Sequence, residues 1–366
     1  MKTRSYCLNF YELEPSNQKV ILECNLSKLG KIVRVTSGKC GSIYIFDQGE
    51  YTTPRYVCAK IPKLLNNDEN ATETNRRFVN ELKNQLKWSE HFFVHWAFDF
   101  KNVLNAPVAL FRYWDGDLST LIGLEDISEI QKLSIMVYIC SGLLHCYRNG
   151  LIAHQDLKPE NIFIRDVSQQ FVGLPNLDIY KIALIGDFGL ANAAEDSGVY
   201  DGTRPYMAPE QWGRSPLSSK ADVFALGVIF YELMSGGHHP VGIKLKEHWP
   251  IPSNGNSKKW LNSRPWRNWA TSSEPKLIDQ SIQNNAEFLR LIESMLDKEP
   301  KLRPDLEHVM STLLALINHK SNDSYDQVSF LVNYFNTNLS DKPLSGRSPY
   351  LFNQWTSFSN DFGDGI

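Results

Sequence analysis

The sequence lacks several features that define common classes of protein. Its net charge is −3 and its pI is about 6.3, so it has no basic excess of the kind typical of nucleic-acid-binding domains. No apolar run approaches the ~18–20 residues that a membrane helix needs, and the first residues lead into no apolar segment typical of a secretory signal. These absences predict a cytoplasmic protein that binds neither nucleic acid nor a membrane.

Cysteine is sparse and scattered along the chain. The six cysteines form no C-x-x-C pair, and no cysteine and histidine cluster has the spacing of zinc ligands. We therefore expect reduced thiols and neither a disulfide framework nor a structural zinc site.

The hydrophobic pattern changes character about a third of the way along the chain. The early part has short runs rich in β-forming residues and one helical pattern at residues 72–88, in which Phe78, Leu82 and Leu86 recur every four residues. The predicted strands are residues 31–35, 42–46, 55–61, 94–100 and 108–111. The later part reads as helices at residues 128–149, 220–236, 285–298 and 304–318. This order predicts an α+β protein.

Two segments fall outside this pattern. Residues 240–275 hold four tryptophans and several prolines, and we predict a long irregular segment, which in a compact domain is usually functional or mobile. The residues after about 320 are rich in Ser, Asn and Asp but also carry six large aromatic side chains: Tyr334, Phe335, Tyr350, Phe352, Trp355 and Phe358. So many aromatic residues predict that this tail docks on the rest of the chain or on a partner.

Four motifs carry the chemistry, and they occur in a fixed order. VCAK lies at residues 57–60, HQDLKPEN at residues 154–161, DFG at residues 187–189 and GTRPYMAPE at residues 202–210. The second motif is a charged stretch between two apolar ones, as expected of an exposed loop between buried elements.

In order and spacing these motifs resemble the third-strand lysine, the catalytic loop, the metal-binding D-F-G motif and the A-P-E motif of eukaryotic-type serine/threonine protein kinases. The resemblance runs from about Gly38 to Arg303. It implies a bilobal fold, with a small antiparallel sheet and one helix in the N-lobe and a larger, mainly helical C-lobe.

The resemblance also implies the domain organisation. Residues 1–27 become an N-terminal extension, residues 28–318 the kinase domain and residues 319–366 an aromatic-containing tail. Within the kinase domain, the N-lobe covers residues 28–111, the hinge residues 112–115 and the C-lobe residues 116–318.

The same resemblance assigns catalytic and metal-binding roles. Asp156 accepts the proton of the substrate hydroxyl, Lys158 neutralises charge on the transferred phosphate, and Thr203 forms a hydrogen bond near Asp156. Asn161 and Asp187 offer the hard oxygen ligands that Mg²⁺ prefers. Glu210 and Arg303 are expected to form a structural ion pair.

Further residues are assigned to ATP by the resemblance. Lys60 holds the phosphates and is steadied by a glutamate on the following helix, for which Glu81 is the candidate and Glu73 the alternative. The glycines of the phosphate-covering loop are Gly38 and Gly41, while Thr36 replaces the first glycine of the family pattern. The adenine contacts fall at the hinge: Arg112, Tyr113 and Trp114.

One departure from the family pattern has a regulatory consequence. Gln155 stands where most regulated kinases carry an arginine that pairs with a phosphorylated residue of the activation loop. Glutamine makes no charge-assisted pair with phosphate. We therefore predict that activity does not require activation-loop phosphorylation through this residue.

The implied function is ATP- and Mg²⁺-dependent transfer of the γ-phosphate to Ser or Thr of protein substrates, and also to the chain itself. Three alternatives stay open at this point. The chain could be a pseudokinase that only binds, which Thr36 and Gln155 favour, or a kinase for small molecules, which the A-P-E segment disfavours. Dual specificity for tyrosine is the third.

Overall fold

The computed structural model describes residues 9–37, 41–64, 70–114, 116–124, 126–168, 173–273, 277, 286–337, 345 and 348–362. The chain divides into two compact units. The first contains Met1–Ser89, Trp96–Trp114 and Ser340–Ile366, and the second contains Glu90–His95 and Asp115–Leu339.

The first unit is built on an antiparallel sheet. Its described strands are β1 (Lys31–Ser37), β2 (Gly41–Asp47), β3 (Tyr56–Pro62), β4 (Asp99–Val103) and β5 (Ala106–Arg112). They form a five-stranded sheet in the order β1-β2-β3-β5-β4. Lys60 of β3 pairs with Ile43 on one side and with Ala109 on the other, so the strand that carries the predicted ATP lysine is central and fixed from both sides.

Helices pack against this sheet, and their apolar side chains form two clusters with those of the strands. Helix α1 (Pro15–Asn25) contributes Leu22 to a cluster that includes Phe10 and Phe46. Helix α2 (Ala71–Lys87) contributes Phe78 and Leu82 to the second cluster, which also holds side chains of the tail helix, Pro349–Asp361. Each helix thereby buries one face against the sheet, the arrangement that an amphipathic helix requires.

The tail helix is fixed to β4 by aromatic and polar contacts. The ring of Trp355 lies 5.1 Å from that of Phe100, edge to face, and Phe358 lies 5.4 Å from the same ring. At the polar edge, Asn102 Nδ2 donates to Asp361 Oδ2 at 3.1 Å. These contacts hold the tail helix against β4.

The second unit is mainly helical. Its described α-helices are α3 (Leu118–Leu121), α4 (Glu129–Arg148), α5 (Ala193–Ser197), α6 (Pro209–Gly213), α7 (Ser219–Met234), α8 (Leu245–His248), α9 (Ser263–Thr271), α10 (Ala286–Met295), α11 (Leu306–Lys320) and α12 (Asn322–Thr337). Its described strands are β6 (Gly116–Asp117), β7 (Ile162–Asp166), β8 (Lys181–Ile185), β9 (His238–His239) and β10 (Ile243–Lys244). Strands β6, β7 and β8 form a three-stranded sheet, and β9 pairs with β10.

The core of the second unit lies around α4 and α7. Almost every residue of α4 from Leu133 to Cys146 is buried, and so is α7 from Ala221 to Leu233. The length and uniform hydrophobicity of these two segments predicted buried helices, and the observed bounds differ from the predicted ones by one or two residues. Ser128 begins α4 by accepting a hydrogen bond from the Gln131 amide at 3.1 Å.

The predicted strand at residues 94–100 is wrong over most of its length. The strand begins only at Asp99, because residues 90–95 belong to the second unit. There Val94 forms an isolated parallel bridge with Ile185, and the His95 amide donates to the Ile185 carbonyl at 2.7 Å. This short stretch of the chain therefore contributes to two different sheets.

The expectation of an irregular segment at residues 240–275 is also partly wrong. Helix α9 occupies its second half and buries Trp266, Trp269 and Ala270, which share the i, i+3, i+4 spacing of one helix face. The pattern was present in the sequence, and the surrounding prolines and charges obscured it. Helices α1, α12 and the tail helix were not predicted from the sequence either.

Within the described residues, no helix is long and apolar enough to cross a membrane. Cys24, Cys58, Cys140 and Cys146 are free thiols, as the scattered spacing predicted.

Candidate active site

The loop that carries Asp156 is held in place by a buried carboxylate. Asp222, on α7, accepts hydrogen bonds from the backbone amides of His154 at 2.7 Å and Gln155 at 3.1 Å, and from the Tyr147 hydroxyl at 2.8 Å. Burial raises the pKa of Asp222, while His154 and these hydrogen bonds act in the opposite direction. An acceptor with three donors is a rigid anchor for the loop, since each donor loses a buried partner if the loop moves.

Asp156 lies at the centre of a group of polar side chains. Its Oδ1 accepts two hydrogen bonds from Thr203, at 2.7 Å from the amide and 2.7 Å from the hydroxyl. Its Oδ2 lies 3.2 Å from Lys158 Nζ and accepts from Asn161 Nδ2 at 3.3 Å. Lys158 also donates to the Thr203 hydroxyl at 3.1 Å. The structure therefore brings together four of the residues that the motifs singled out.

The two oxygens of Asp156 have different surroundings. Oδ1 is occupied by two short hydrogen bonds, whereas the contacts of Oδ2 are about half an ångström longer. The Asp156 side chain keeps 15% of its exposure. Oδ2 is therefore the carboxylate oxygen that is held less tightly by its neighbours.

Asn161 is held in place by hydrogen bonds to its neighbours. It ends a short 3₁₀ turn, Pro159–Asn161, and its Nδ2 donates to the Asp156 carbonyl at 2.8 Å. Since the amide nitrogen is used in this way, the amide oxygen is left as a hard donor. The Asn161 carbonyl accepts from the Gly186 amide at 2.9 Å, which ties this turn to the residue before Asp187.

Asp187 is exposed, while the following Phe188 is buried against His154 at a ring distance of 4.9 Å. The backbone of Asp187 is left-handed, with φ of 56°, which turns the aspartate out as the phenylalanine packs in. Among the described residues, no group of three or more His, Cys, Asp or Glu side chains could hold a metal. One amide and one carboxylate suit Mg²⁺, which is usually held by few protein oxygens together with substrate phosphates.

In the first unit, Lys60 and Glu81 form the predicted pair. Lys60 Nζ lies 2.9 Å from Glu81 Oε1, and both side chains are mostly buried. The Phe78 ring lies 5.7 Å from the same ammonium group. Glu73, the alternative partner, instead pairs with Arg76 at 2.8 Å on the exposed face of α2. The assignment of Lys60 and Glu81 to ATP stays a prediction.

The remaining ATP predictions are only partly described. Gly38 lies outside the described residues, as does Asp115 at the end of the predicted hinge. Gly41 is required for sheet pairing in its own right, because a Cβ there would lie 2.9 Å from the Ile61 carbonyl oxygen.

The hinge residues themselves occupy the end of β5 and the chain beyond it. Arg112 ends the strand, and the Tyr113 amide donates to the Tyr56 carbonyl at 3.3 Å. The Tyr113 hydroxyl also accepts a hydrogen bond from the Arg34 guanidinium, and the next residue, Trp114, is partly buried. Nothing in these contacts tests the adenine assignment of Arg112, Tyr113 and Trp114.

Gln155 joins the catalytic loop to the segment after the D-F-G motif. Its Oε1 accepts from the Ala194 amide at 2.7 Å, and its Nε2 donates to the Val199 carbonyl at 3.0 Å. The residue is buried and left-handed, with φ of 68°. The Ala194 amide belongs to the first turn of α5, where an amide has no partner within the helix. Gln155 therefore stabilises both the start of this helix and the chain directly after it.

Two further positioning residues were missed by the sequence analysis. Asn192 Oδ1 accepts from the Ile152 amide at 2.7 Å, and its Nδ2 donates to the Gly150 carbonyl at 3.0 Å. Gln211 Nε2 donates to the carbonyls of Gln155 at 2.9 Å and Asp201 at 3.2 Å. A lone Asn or Gln has no pattern that distinguishes these long-range bonds from ordinary surface polarity.

The base of the second unit contains the predicted buried ion pair. Arg303 forms two parallel contacts with Glu210, at 2.7 Å between Nη1 and Oε1 and 2.9 Å between Nη2 and Oε2. Both side chains are almost fully buried. A bidentate pair of this kind fixes the A-P-E segment, and with it the loop that carries Thr203.

Comparison with known proteins decides the family. The family model described as protein kinase domain matches residues 31–314 of the chain. The chain belongs to the protein kinase family. This confirms the resemblance to eukaryotic-type serine/threonine protein kinases and the predicted α+β, bilobal fold class.

Several curated kinases are similar to this chain. It is 28% identical over 233 residues to the receptor-like kinase TMK2 of Arabidopsis thaliana, which covers 58% of the chain and 23% of that protein. It is 25% identical over 292 residues to the serine/threonine-protein kinase pkn2 of Myxococcus xanthus, covering 76% and 31%. It is 38% identical over 113 residues to the calcium/calmodulin-dependent protein kinase type I of Schizosaccharomyces pombe, covering 30% of each. The matched region thus spans about a quarter to a third of these relatives.

Proposed function

We propose that this protein is an active serine/threonine protein kinase that uses ATP and Mg²⁺ and also phosphorylates itself. The observation that carries the proposal is the hydrogen-bonded group of Asp156, Lys158, Asn161 and Thr203. Family membership supports the reaction class, and the relatives include proteins named as serine/threonine kinases. We further propose residues 28–318 as the kinase domain and residues 319–366 as a tail that docks on it or on a partner.

The contacts of Asp156 fit the role of a proton acceptor. The acceptor hydroxyl donates to Oδ2, while Thr203 holds Oδ1 and so fixes the direction of the carboxylate. As the hydroxyl oxygen bonds to the γ-phosphorus, its proton passes to Asp156, and the bond to the β,γ-bridging oxygen breaks to leave ADP. Lys158 lies beside this carboxylate and is placed to neutralise the charge of the transferred group.

The remaining residues orient the nucleotide and its metal. Asn161 and Asp187 are the proposed Mg²⁺ ligands, and Lys60, held by Glu81, is the proposed phosphate ligand. A Mg²⁺ ion held by Asn161 and Asp187 would supply positive charge that neutralises the phosphate oxygens. Gly38, Gly41 and the hinge residues Arg112, Tyr113 and Trp114 complete the proposed ATP site.

The test is transfer of labelled γ-phosphate from ATP and Mg²⁺ to generic protein substrates, one basic and one acidic, and to the chain itself. The wild type is compared with Asp156→Asn and Asp187→Asn, and the labelled amino acid is identified after hydrolysis. We expect label on serine or threonine, and at least a hundredfold loss in both variants. Binding of ATP without transfer above the variants would overturn the proposal and favour a pseudokinase.

A further inference from the structure

A cavity of about 290 Å³ opens in the second unit beside the loop that carries Thr203. Gly202 and Arg204, the two neighbours of Thr203, line it, and so do Met207 and the Trp212 ring. Thr203 itself holds Asp156 through its hydroxyl and its amide. The cavity therefore begins one residue away from a group that contacts the proposed catalytic base.

The lining of this cavity is strongly cationic. Arg204 comes from the turn after Thr203, Arg214 from the end of α6 and Arg267 from α9. Arginine is charged at every pH at which the protein is folded. Asp201 is the single acidic side chain among the residues that line the cavity, so positive charge is in excess.

The three arginines differ in how they are held. Arg204 Nη1 donates to the Leu261 carbonyl at 2.6 Å, and its guanidinium carbon lies 5.6 Å from the centre of the Trp249 ring. Arg204 is therefore a fixed part of the wall. Arg214 and Arg267 are exposed, and neither side chain forms an ion pair or a hydrogen bond with any residue that the structure describes. Their donors are available to a ligand.

The tryptophan-rich segment explains why the cavity exists. It supplies Arg267 and the two contacts of Arg204, and directly before it His239 Nε2 donates to the Pro205 carbonyl at 2.9 Å. The Val241 amide donates to His239 Nδ1 at 3.1 Å, which leaves the proton on Nε2. Burial lowers the pKa of His239 to about 3, so this donor is neutral and permanent at physiological pH. Residues 204–206 are thus fastened to the segment that completes the cationic wall.

We propose that this cavity selects protein substrates that carry an anionic side chain within about three residues of the phosphorylated serine or threonine. The proposal rests on the proposed kinase function and adds a substrate class to it. An extended peptide advances ~3.3 Å per residue, and both neighbours of Thr203 line the cavity. Side chains only a few residues from the acceptor are therefore expected to reach the cavity. A carboxylate or a phosphate fits the fork of donors that arginine presents.

A peptide series tests the preference directly. The parent peptide has one serine and otherwise neutral residues, and Asp, Asn, Lys or phosphoserine replaces each of the three residues on either side in turn. We expect kcat/KM for Asp to exceed that for Asn about tenfold in at least one position, the effect of about one charge-assisted hydrogen bond. The Asp and phosphoserine arms distinguish an acidic substrate from one that another kinase has already phosphorylated. Equal values for Asp, Asn and Lys at every position would overturn the proposal.

Charge reversal then assigns the preference to this cavity. Arg267→Glu and Arg214→Glu should lower the ratio of kcat/KM for the Asp peptide to that for the Asn peptide to about one, or below it, because a like charge repels the carboxylate. Arg264→Glu is the matched control, since Arg264 lies on the same helix and is exposed but does not line the cavity. Arg267→Gln serves where the reversal impairs folding. If the ratio is unchanged in the Arg267 and Arg214 variants, the acidic preference does not arise from this cavity.

The outcome separates this proposal from the proposed function. One outcome is that the neutral peptide is phosphorylated, that this depends on Asp156, and that acidic peptides are not preferred. That outcome supports the kinase function and rejects the proposed selectivity. If no peptide is phosphorylated, fluorescence anisotropy of labelled Asp and Asn peptides with the Asp156→Asn protein still decides. Tighter binding of the Asp peptide that Arg267→Glu abolishes supports the cavity, and equal binding overturns it.

Discussion

The hydroxyl of Thr203 donates to Asp156 Oδ1 at 2.7 Å and accepts from Lys158 Nζ at 3.1 Å. One hydroxyl therefore connects the proposed base with Lys158, the cation proposed to act in the same reaction. Because the Thr203 amide also donates to Oδ1, the side chain can be altered while the loop keeps one contact with the carboxylate.

Replacing this hydroxyl should impair the reaction more than the fold. Thr203→Val keeps the shape and the amide contact but removes both side-chain hydrogen bonds, so we predict a decrease of kcat by about 10- to 100-fold, corresponding to about 1–3 kcal/mol. Thr203→Ser retains the hydroxyl and should keep most of the activity. Steady-state kinetics with thermal melting curves measure this, and a Val variant as active as the Ser variant contradicts the role.

The pairing of Lys60 with Glu81 gives a second prediction. Its control is a second glutamate on the same helix, α2. Glu81→Gln removes the charge that steadies the Lys60 ammonium, and we predict about a tenfold loss of kcat/KM for ATP. Glu73→Gln lies on the exposed face of the same helix and should stay within about twofold, since surface pairs contribute little. The two variants are compared at varied ATP concentration, and equal losses would reject Glu81 as the partner.

The sequence was most informative where chemistry and periodicity coincide. Asp156, Lys158 and Asn161 fall within eight consecutive residues, so the chain itself keeps them together. The α2 helix could be predicted because its apolar residues recur every four positions. The choice of Glu81 over Glu73 came from the family resemblance, and the structure places Glu81 beside Lys60. A helix with a single apolar face can bury that face in only one orientation. Its local sequence pattern therefore largely determines its structure, whatever the rest of the fold.

What could not be predicted depends on distant partners. Asn192 and Gln211 position the catalytic loop through bonds to residues that lie far away in the sequence. The cationic cavity takes its arginines from three separate elements, and each of them alone reads as a solvated surface charge. Residues 94–98 read as a strand because they are apolar, and only the tertiary structure shows that the chain leaves one unit for the other there.

Gln155 carries the third prediction, which concerns regulation. The side-chain amide of Gln155 forms hydrogen bonds with the Ala194 amide and the Val199 carbonyl. These two hydrogen bonds take the place of an ion pair that would need a phosphate. We expect the protein, fully dephosphorylated by a phosphatase and checked by mass spectrometry, to keep its activity within about twofold, because a neutral amide gains no charge-assisted bond from phosphate. A loss above tenfold that autophosphorylation restores would contradict this.

The same residue can be tested by removing its amide. Gln155→Ala leaves the Ala194 amide without its partner, so we predict faster hydrogen exchange at that amide and a lower kcat, with a loss of about 1–3 kcal/mol in stability. Asp196→Asn on the exposed side of α5 is the control. Unchanged exchange at Ala194 in the alanine variant would show that Gln155 does not stabilise this helix.

The last prediction concerns Glu232, a buried carboxyl on α7 whose Oε2 accepts from the Tyr206 hydroxyl at 2.7 Å. Burial raises the pKa of Glu232 from 4.5 to about 7. Between these two values the folded protein holds a proton that the unfolded chain has released. The free energy of unfolding therefore decreases as the pH rises through this range, by about 3 kcal/mol in total, and levels off by about pH 8.

Glu232→Gln is neutral at every pH and should lack this term. We expect the melting temperature of the variant, relative to that of the wild type, to rise steadily between pH 5 and pH 7 and to level off by pH 8. Glu247→Gln, at an exposed position on the nearby α8, should follow the wild type throughout the range from pH 5 to pH 8. Melting curves of wild type and Glu232→Gln that run parallel from pH 5 to pH 8 would show that the carboxyl titrates outside this range.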